Sequence, residues 1–219
     1  MPAQVYFESI DVAYPATVLN PKDQEKIWNQ IRNTLATSDA EILEIIERFK
    51  GQIMGFVGAV MHALNNPNFG GKRAQDTELG ISTIRAAHLT LGSNATAYGG
   101  YIKVSFPTNW VTLAEGTMDK DAGILLFGIV SASDTPLIDG MRITVGQRVL
   151  LPDDISLIKL KDNRNGVAVV PFSSVPIMPE QTYKIELYSP DADANTPPED
   201  TIKLLGFTVG LGRFLNANF

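Results

Sequence analysis

Asp191, Asp193 and Asn195 place oxygen donors on alternate residues, which is how a calcium-binding loop opens. The sixth position of such a loop calls for glycine and the twelfth for glutamate, but Thr196 and Ile202 stand there. The run 189–200 (SPDADANTPPED) is therefore read as an exposed acidic loop. Two further acid pairs, Asp119 with Asp121 around Lys120 and Asp153 with Asp154, fall in predicted turns. Aspartate is common in turns because it bonds its own backbone. Acid and base work across a sugar bond needs carboxylates roughly 5–10 Å apart in a cleft.

Other reactive sets are equally incomplete. Lys72 after Gly71 suggests a phosphate loop, yet Asn66 replaces its first glycine and Arg73 its magnesium-binding hydroxyl. His62 lies on an apolar helix and His88 in an alternating segment, with no metal-ligand spacing between them. No serine sits in a G-x-S-x-G elbow, and without cysteine there is neither a thiol nucleophile nor a thiolate metal site. No enzymatic activity and no cofactor or metal are expected.

Composition narrows the partners. The 219 residues carry 18 Lys+Arg against 24 Asp+Glu, a net charge of −6, so direct nucleic-acid binding is not expected. The basic residues Lys72, Arg73, Arg142, Arg148, Lys159, Lys161 and Arg164 read as solvated strand edges that discourage aggregation. Hydrophobic residues make up 44%, which excludes a disordered chain. Charged residues at 19%, below the ~25% usual in soluble domains, point to surface covered by a partner. The segment Met1 to Glu8 lacks a basic stretch followed by an apolar run, so no secretory signal is read there and synthesis in the cytoplasm is expected.

The elements that must position these residues change character near Gly99. Residues 4–14 suit an extended arm or first strand. Asn20-Pro21 opens a helix to about residue 36, with Ile27, Trp28, Ile31 and Leu35 at helical spacing. Ser38 and Glu41 form a capping-box pattern for a second helix. Its seam runs Ile42, Ile46, Phe49, Ile53, Phe56, Val60 and Ala63. The apolar stretch Ile53–Leu64 is too short to cross a bilayer, which takes ~20 residues. Gly51 and Gly55 have the spacing that allows close backbone approach, either within the fold or between subunits.

After residue 79 the segments shorten and alternate. Strands are predicted around 87–91, 102–106, 110–113, 124–130, 141–150, 155–161, 166–170, 182–188 and 201–209. Gly99-Gly100, Asp139-Gly140, Pro152-Asp153, Asn165-Gly166 and Pro197-Pro198 mark turns, and Asn165-Gly166 is the strongest hairpin signal. The run 124–130 is continuous enough to be buried on both faces. The expected class is α+β, mainly β: an N-terminal helical segment followed by an antiparallel β-sandwich or jelly-roll-like barrel. Expected divisions are an arm over 1–20, a helical segment with loop and first strand over 21–98, and the sandwich over 99–219.

In architecture alone, a helical arm before a β-sandwich resembles many virion proteins, although no motif identifies a family. The expected role is a non-enzymatic structural subunit of an ordered assembly, such as a capsid, cement or decoration, or tail protein in a virion. It would act by self-association or by contact with neighbouring subunits. Its expected interface residues are Phe7, Trp28, Gly51, Gly55, Phe214 and Phe219. The alternative is a ligand-binding β module, for carbohydrate or a cell surface, with Tyr98, Tyr101 and Trp110 as stacking platforms.

Overall fold

The computed structural model describes residues 4–6, 25, 28, 29, 32, 47, 49–65, 79–151 and 168–216. Eleven strands and two helices are defined among them: β1 (Gln4–Tyr6), α1 (Lys50–Asn65), β2 (Leu79–Thr83), β3 (Ala95–Tyr98), β4 (Tyr101–Ser105), β5 (Trp110–Thr117), β6 (Ala122–Ser131), β7 (Gly140–Val145), β8 (Arg148–Leu151), β9 (Ala168–Ile177), β10 (Thr182–Tyr188), β11 (Glu199–Leu211) and α2 (Gly212–Asn216). The predicted strand 155–161 and the Asn165-Gly166 turn lie outside the described residues.

Two antiparallel sheets face each other, as the alternating strands predict. One has four strands in the order β5-β10-β7-β8, and the other has seven, organised around β11. Along one edge β11 pairs with β6, which in turn pairs with β9. Along its other edge β11 pairs with β4 up to Ile202 and with β2 from Phe207 onward. Alternation then sorts the side chains. Ile202 and Leu204 of β11 join Ile102 and Val104 of β4, Met141 and Ile143 of β7, and Ile185 and Leu187 of β10 in the core between the sheets.

The outer face of the seven-stranded sheet is buried over half its length. Ile53, Phe56, Val57 and Val60, spaced along one side of α1, pack on Leu125, Phe127, Leu205, Phe207 and Val209. This third layer explains why β6 has no polar face: core lies on both of its sides. A bulge sets Phe127 opposite no residue of β11, since Leu205 pairs with Gly128 and Gly206 with Leu126. The extra residue projects the ring into the helix layer.

Three expectations change in the folded chain. The boundary at residue 99 cuts a hairpin, because β3 pairs with β4 across Gly99-Gly100 and β2 belongs to the same sheet. The segment around 87–91 turns as a short 3-10 helix, Ala86–His88, and then meets β5 through the Leu91–Ala114 bridge and the Glu115 N–H to Thr90 carbonyl bond. The glycine that admits the helix is on the sheet: a Cβ on Gly123 would stand 2.9 Å from Val60 Cγ2 and 3.1 Å from the Phe56 ring. Gly51 and Gly55 are exposed, and an added Cβ on either meets nothing within 4 Å.

Candidate functional site

Among the described residues α1 packs on Leu125, Phe127, Leu205, Phe207 and Val209, and the outer face beyond them carries part-exposed side chains. The β3–β4 hairpin forms the margin of that area. Its two-residue turn places Gly99 at φ 58°, a conformation glycine adopts without a Cβ clash. Tyr98 and Tyr101 close the turn as a directly opposed pair. Opposed residues of an antiparallel pair project to the same side. Because Ile102 and Val104 point into the core, Tyr101 and Lys103 point outward, and Tyr98 and Thr96 with them. Tyr98 is 63% exposed and Tyr101 39%.

The register of β11 extends this surface. Thr201 pairs with Lys103 and Ile202 with Ile102, so one further step along both strands sets Lys203 beside Tyr101. On its other side Lys203 pairs with Val130 of β6. A row Tyr98–Tyr101–Lys203 therefore crosses three strands, and a second row, Thr96–Lys103–Thr201, runs parallel to it. Lys103 Nζ lies 2.5 Å from Glu199 Oε2. Among the described residues no carboxylate pairs with Lys203.

Next to Lys203 the sheet is notched. Pairing with β4 ends at Ile202 and pairing with β2 begins at Phe207. Between them only the Gly206 carbonyl is engaged by the N–H of Ile84, at 3.3 Å. Thr83, Phe127, Lys203, Leu204, Leu205, Gly206 and Phe207 line the recess. The open face thus combines two solvent-facing phenol rings, two ammonium groups, two threonine hydroxyls and a break in the strand edge. Such a mixture can hold the apolar face of a ring while hydrogen-bonding its substituents.

Trp110 is not part of this surface. It projects from the outer face of the four-stranded sheet, where its ring lies 5.2 Å from that of Tyr188 and the Arg142 guanidinium sits 4.3 Å from its centroid. Arg142 also lies 3.6 Å from Glu186, and Lys184 bonds Glu186 at 3.0 Å. The hydrogen bond to Glu186 raises the pKa of Lys184 above its ordinary value. This face carries cross-strand pairs of opposite charge and of aromatic rings.

The expected interface residues separate. Trp28 is 5% exposed and packs in the helix–sheet cluster, with the Lys50 ammonium 5.3 Å from its ring. Phe214 is half-buried against the core, its ring 5.6 Å from that of His88. Trp28 is covered by its own chain and Phe214 is partly so. Phe7 and Phe219 lie outside the described residues.

The acids also diverge. Asp193 Oδ1 accepts the backbone N–H of Asn195 and of Thr196, Asp121 pairs with Arg213, and Asp200 turns inward. Asp153 and Asp154 lie outside the described residues. Among the described residues no three His, Asp or Glu groups converge, and no helix is long and apolar enough to cross a membrane.

His88 is 5% exposed. Its Nδ1 lies 2.8 Å from the Thr208 hydroxyl and accepts the Arg85 backbone N–H at 3.3 Å. The neutral ring therefore carries its proton on Nε2, which is buried without a partner. Burial first, and then the Arg85 charge, lower its pKa from 6.5 to about 4. Since the folded chain favours neutral imidazole, the resulting stability is complete above pH 6.5 and is lost as pH falls toward 4. The expected loss is about 3 kcal/mol. Urea unfolding of the wild type and of His88→Asn at pH 7 and pH 4.5 checks this: the variant, with an amide oxygen in place of Nδ1, should lack that part of the acid sensitivity.

No protein-family model matches this sequence, and no curated protein matches it. Among solved structures, the chain is similar to the C-terminal family 6 carbohydrate-binding module of the laminarinase LamC from Zobellia galactanivorans. Identity is 13% over 59% of this chain and 98% of that one, with a TM-score of 0.33. A family 35 carbohydrate-binding module from Clostridium thermocellum matches at 14% identity over 64% of this chain and 84% of that one, with a TM-score of 0.23. The VP2 subviral particle of infectious bursal disease virus matches at 11% identity over 68% of this chain and 36% of that one, with a TM-score of 0.31. These likenesses concern sandwich architecture alone.

Proposed function

We propose that this chain is a non-catalytic carbohydrate-binding module whose ligand lies across the open half of the seven-stranded sheet. The observation that carries this reading is the Tyr98–Tyr101 pair, directly opposed, facing one side and 63% and 39% exposed. Isolated exposed apolar residues are ordinary on any surface. Two adjacent rings beside a notch form a platform instead. A pyranose ring presents axial C–H groups that stack on a phenol, while Thr96, Lys103 and Thr201 can bond its hydroxyls.

Isothermal titration against a panel of neutral and acidic oligosaccharides tests the proposal. Tyr101→Ala is expected to weaken the best ligand at least ~tenfold, the equivalent of about 1.4 kcal/mol. Because the ring faces solvent, unfolding free energy should change by no more than about 0.5 kcal/mol. Undiminished affinity in a Tyr98→Ala, Tyr101→Ala double variant would overturn the assignment.

A second reading, the structural subunit, is supported by strand β8. Val149 and Leu150 are 56% and 41% exposed, and among the described residues β8 pairs only with β7. An open apolar edge can pair with a second copy. Sedimentation across a range of concentrations separates the two readings: a monomer throughout excludes self-assembly.

A further inference from the structure

Resting on the carbohydrate-binding reading, we infer that the preferred ligand is an acidic saccharide, with a uronate carboxylate on Lys203 and its sugar ring on Tyr101. The first ground is position. Lys203 continues the aromatic row, since the β4–β11 register brings it beside Tyr101 and its pairing with Val130 fixes it on the outer face. The ring and the ammonium thus stand on the same face, each one residue beyond the last β4–β11 pair.

The second ground is charge. In a chain of net charge −6, the cations on this face among the described residues are Lys103 and Lys203, and its acid among them, Glu199, is engaged by Lys103. Lys203 keeps its charge uncompensated among the described residues. By contrast, Arg142, Lys184, Glu115 and Glu186 on the other sheet pair cation with acid. A neutral sugar gives an unpaired ammonium only hydroxyl acceptors, whereas a carboxylate adds an opposite charge to the hydrogen bond.

The test uses the full chain and matched probes: oligogalacturonate, oligomannuronate and oligoglucuronate, each with its methyl ester, and neutral cello-oligosaccharides. Esterification keeps the sugar and removes the charge. At least one acid form should bind about fivefold or more tighter than its ester at low ionic strength. Added salt should narrow that margin by screening. Lys203→Met should abolish that margin by weakening the acid form more than its ester, and Tyr101→Ala should weaken acid and ester alike. Equal affinity for acid and ester would overturn the charge preference and leave the stacking platform standing. Binding only to cello-oligosaccharides would do the same. No binding to any probe would overturn both readings and return the exposed tyrosines to protein contact.

Discussion

Replacing Asp200 with alanine is expected to cost about 3–5 kcal/mol, one of the two largest effects of a single substitution foreseen here. Asp200 is 1% exposed, and its carboxylate holds one end of the sandwich together. Oδ1 accepts Ser131 Oγ at 2.9 Å, the Thr201 backbone N–H at 2.7 Å, and Ser133 Oγ. Oδ2 accepts the Leu137 backbone N–H at 2.9 Å. The acid thus ties the turn after β6 to β11. Alanine would take the acceptor from the buried Ser131 hydroxyl and from the part-buried Ser133 hydroxyl and Leu137 N–H, and an unsatisfied buried donor forfeits its full desolvation cost.

Asparagine should cost less, about 2 kcal/mol, because serine hydroxyls can rotate to accept its amide whereas backbone N–H groups cannot. Urea unfolding monitored by tryptophan fluorescence gives both values. Hydrogen exchange should localise the damage to residues 131–137. A loss below about 1 kcal/mol for alanine would show that the turn holds without the carboxylate.

Phe127→Ala carries the second large effect, also about 3–5 kcal/mol, through a cavity rather than a lost bond. Phe127 is 1% exposed, and its ring centroid lies 5.5 Å from that of Phe49 and 5.6 Å from that of Phe207. The bulge on β6 delivers this ring to the junction between sheet and helix. Removing it should loosen α1 before the sandwich, so amide exchange in residues 50–65 should accelerate more than exchange in β10. Leucine at this position fills most of the volume, and its cost should fall to about 1–2 kcal/mol. A uniform rise in exchange across both sheets would contradict a junction role.

Much of the fold was legible in local pattern. The run 124–130 carries no polar alternation, and β6 is indeed buried on both faces. The spacing of Ile53, Phe56 and Val60 defined a helix face, and those side chains meet the sheet. Gly99-Gly100 marked a turn because few other residues tolerate its backbone. Each of these signals lies within a few residues of chain, where sterics and periodicity act directly.

The candidate site was legible only in part. Tyr98 and Tyr101 stood out as aromatic residues around a glycine turn, but Trp110 was grouped with them although it belongs to the other sheet. Lys203 and Thr201 were invisible as site residues. Their place beside β4 depends on strand pairing between distant parts of the chain, and a shift of one residue would have turned them into the core. Asp200 shows the same limit, since within SPDADANTPPED it reads as one more solvated acid.

Composition and periodicity alone therefore determined a mainly β chain with an apolar helix, with no thiol chemistry and turns at definable positions. Tertiary structure decided which surfaces remained available. Trp28 and Phe214 looked like anchors for a partner, yet the fold covers the first and partly the second, because burial depends on what the rest of the chain brings within reach. Within the chain the close approach of helix and sheet falls at Gly123, while Gly51 and Gly55 face outward. Local sterics act over a few residues and can be read in order along the chain. Which faces meet is set by long-range pairing, and that information resides in no single segment.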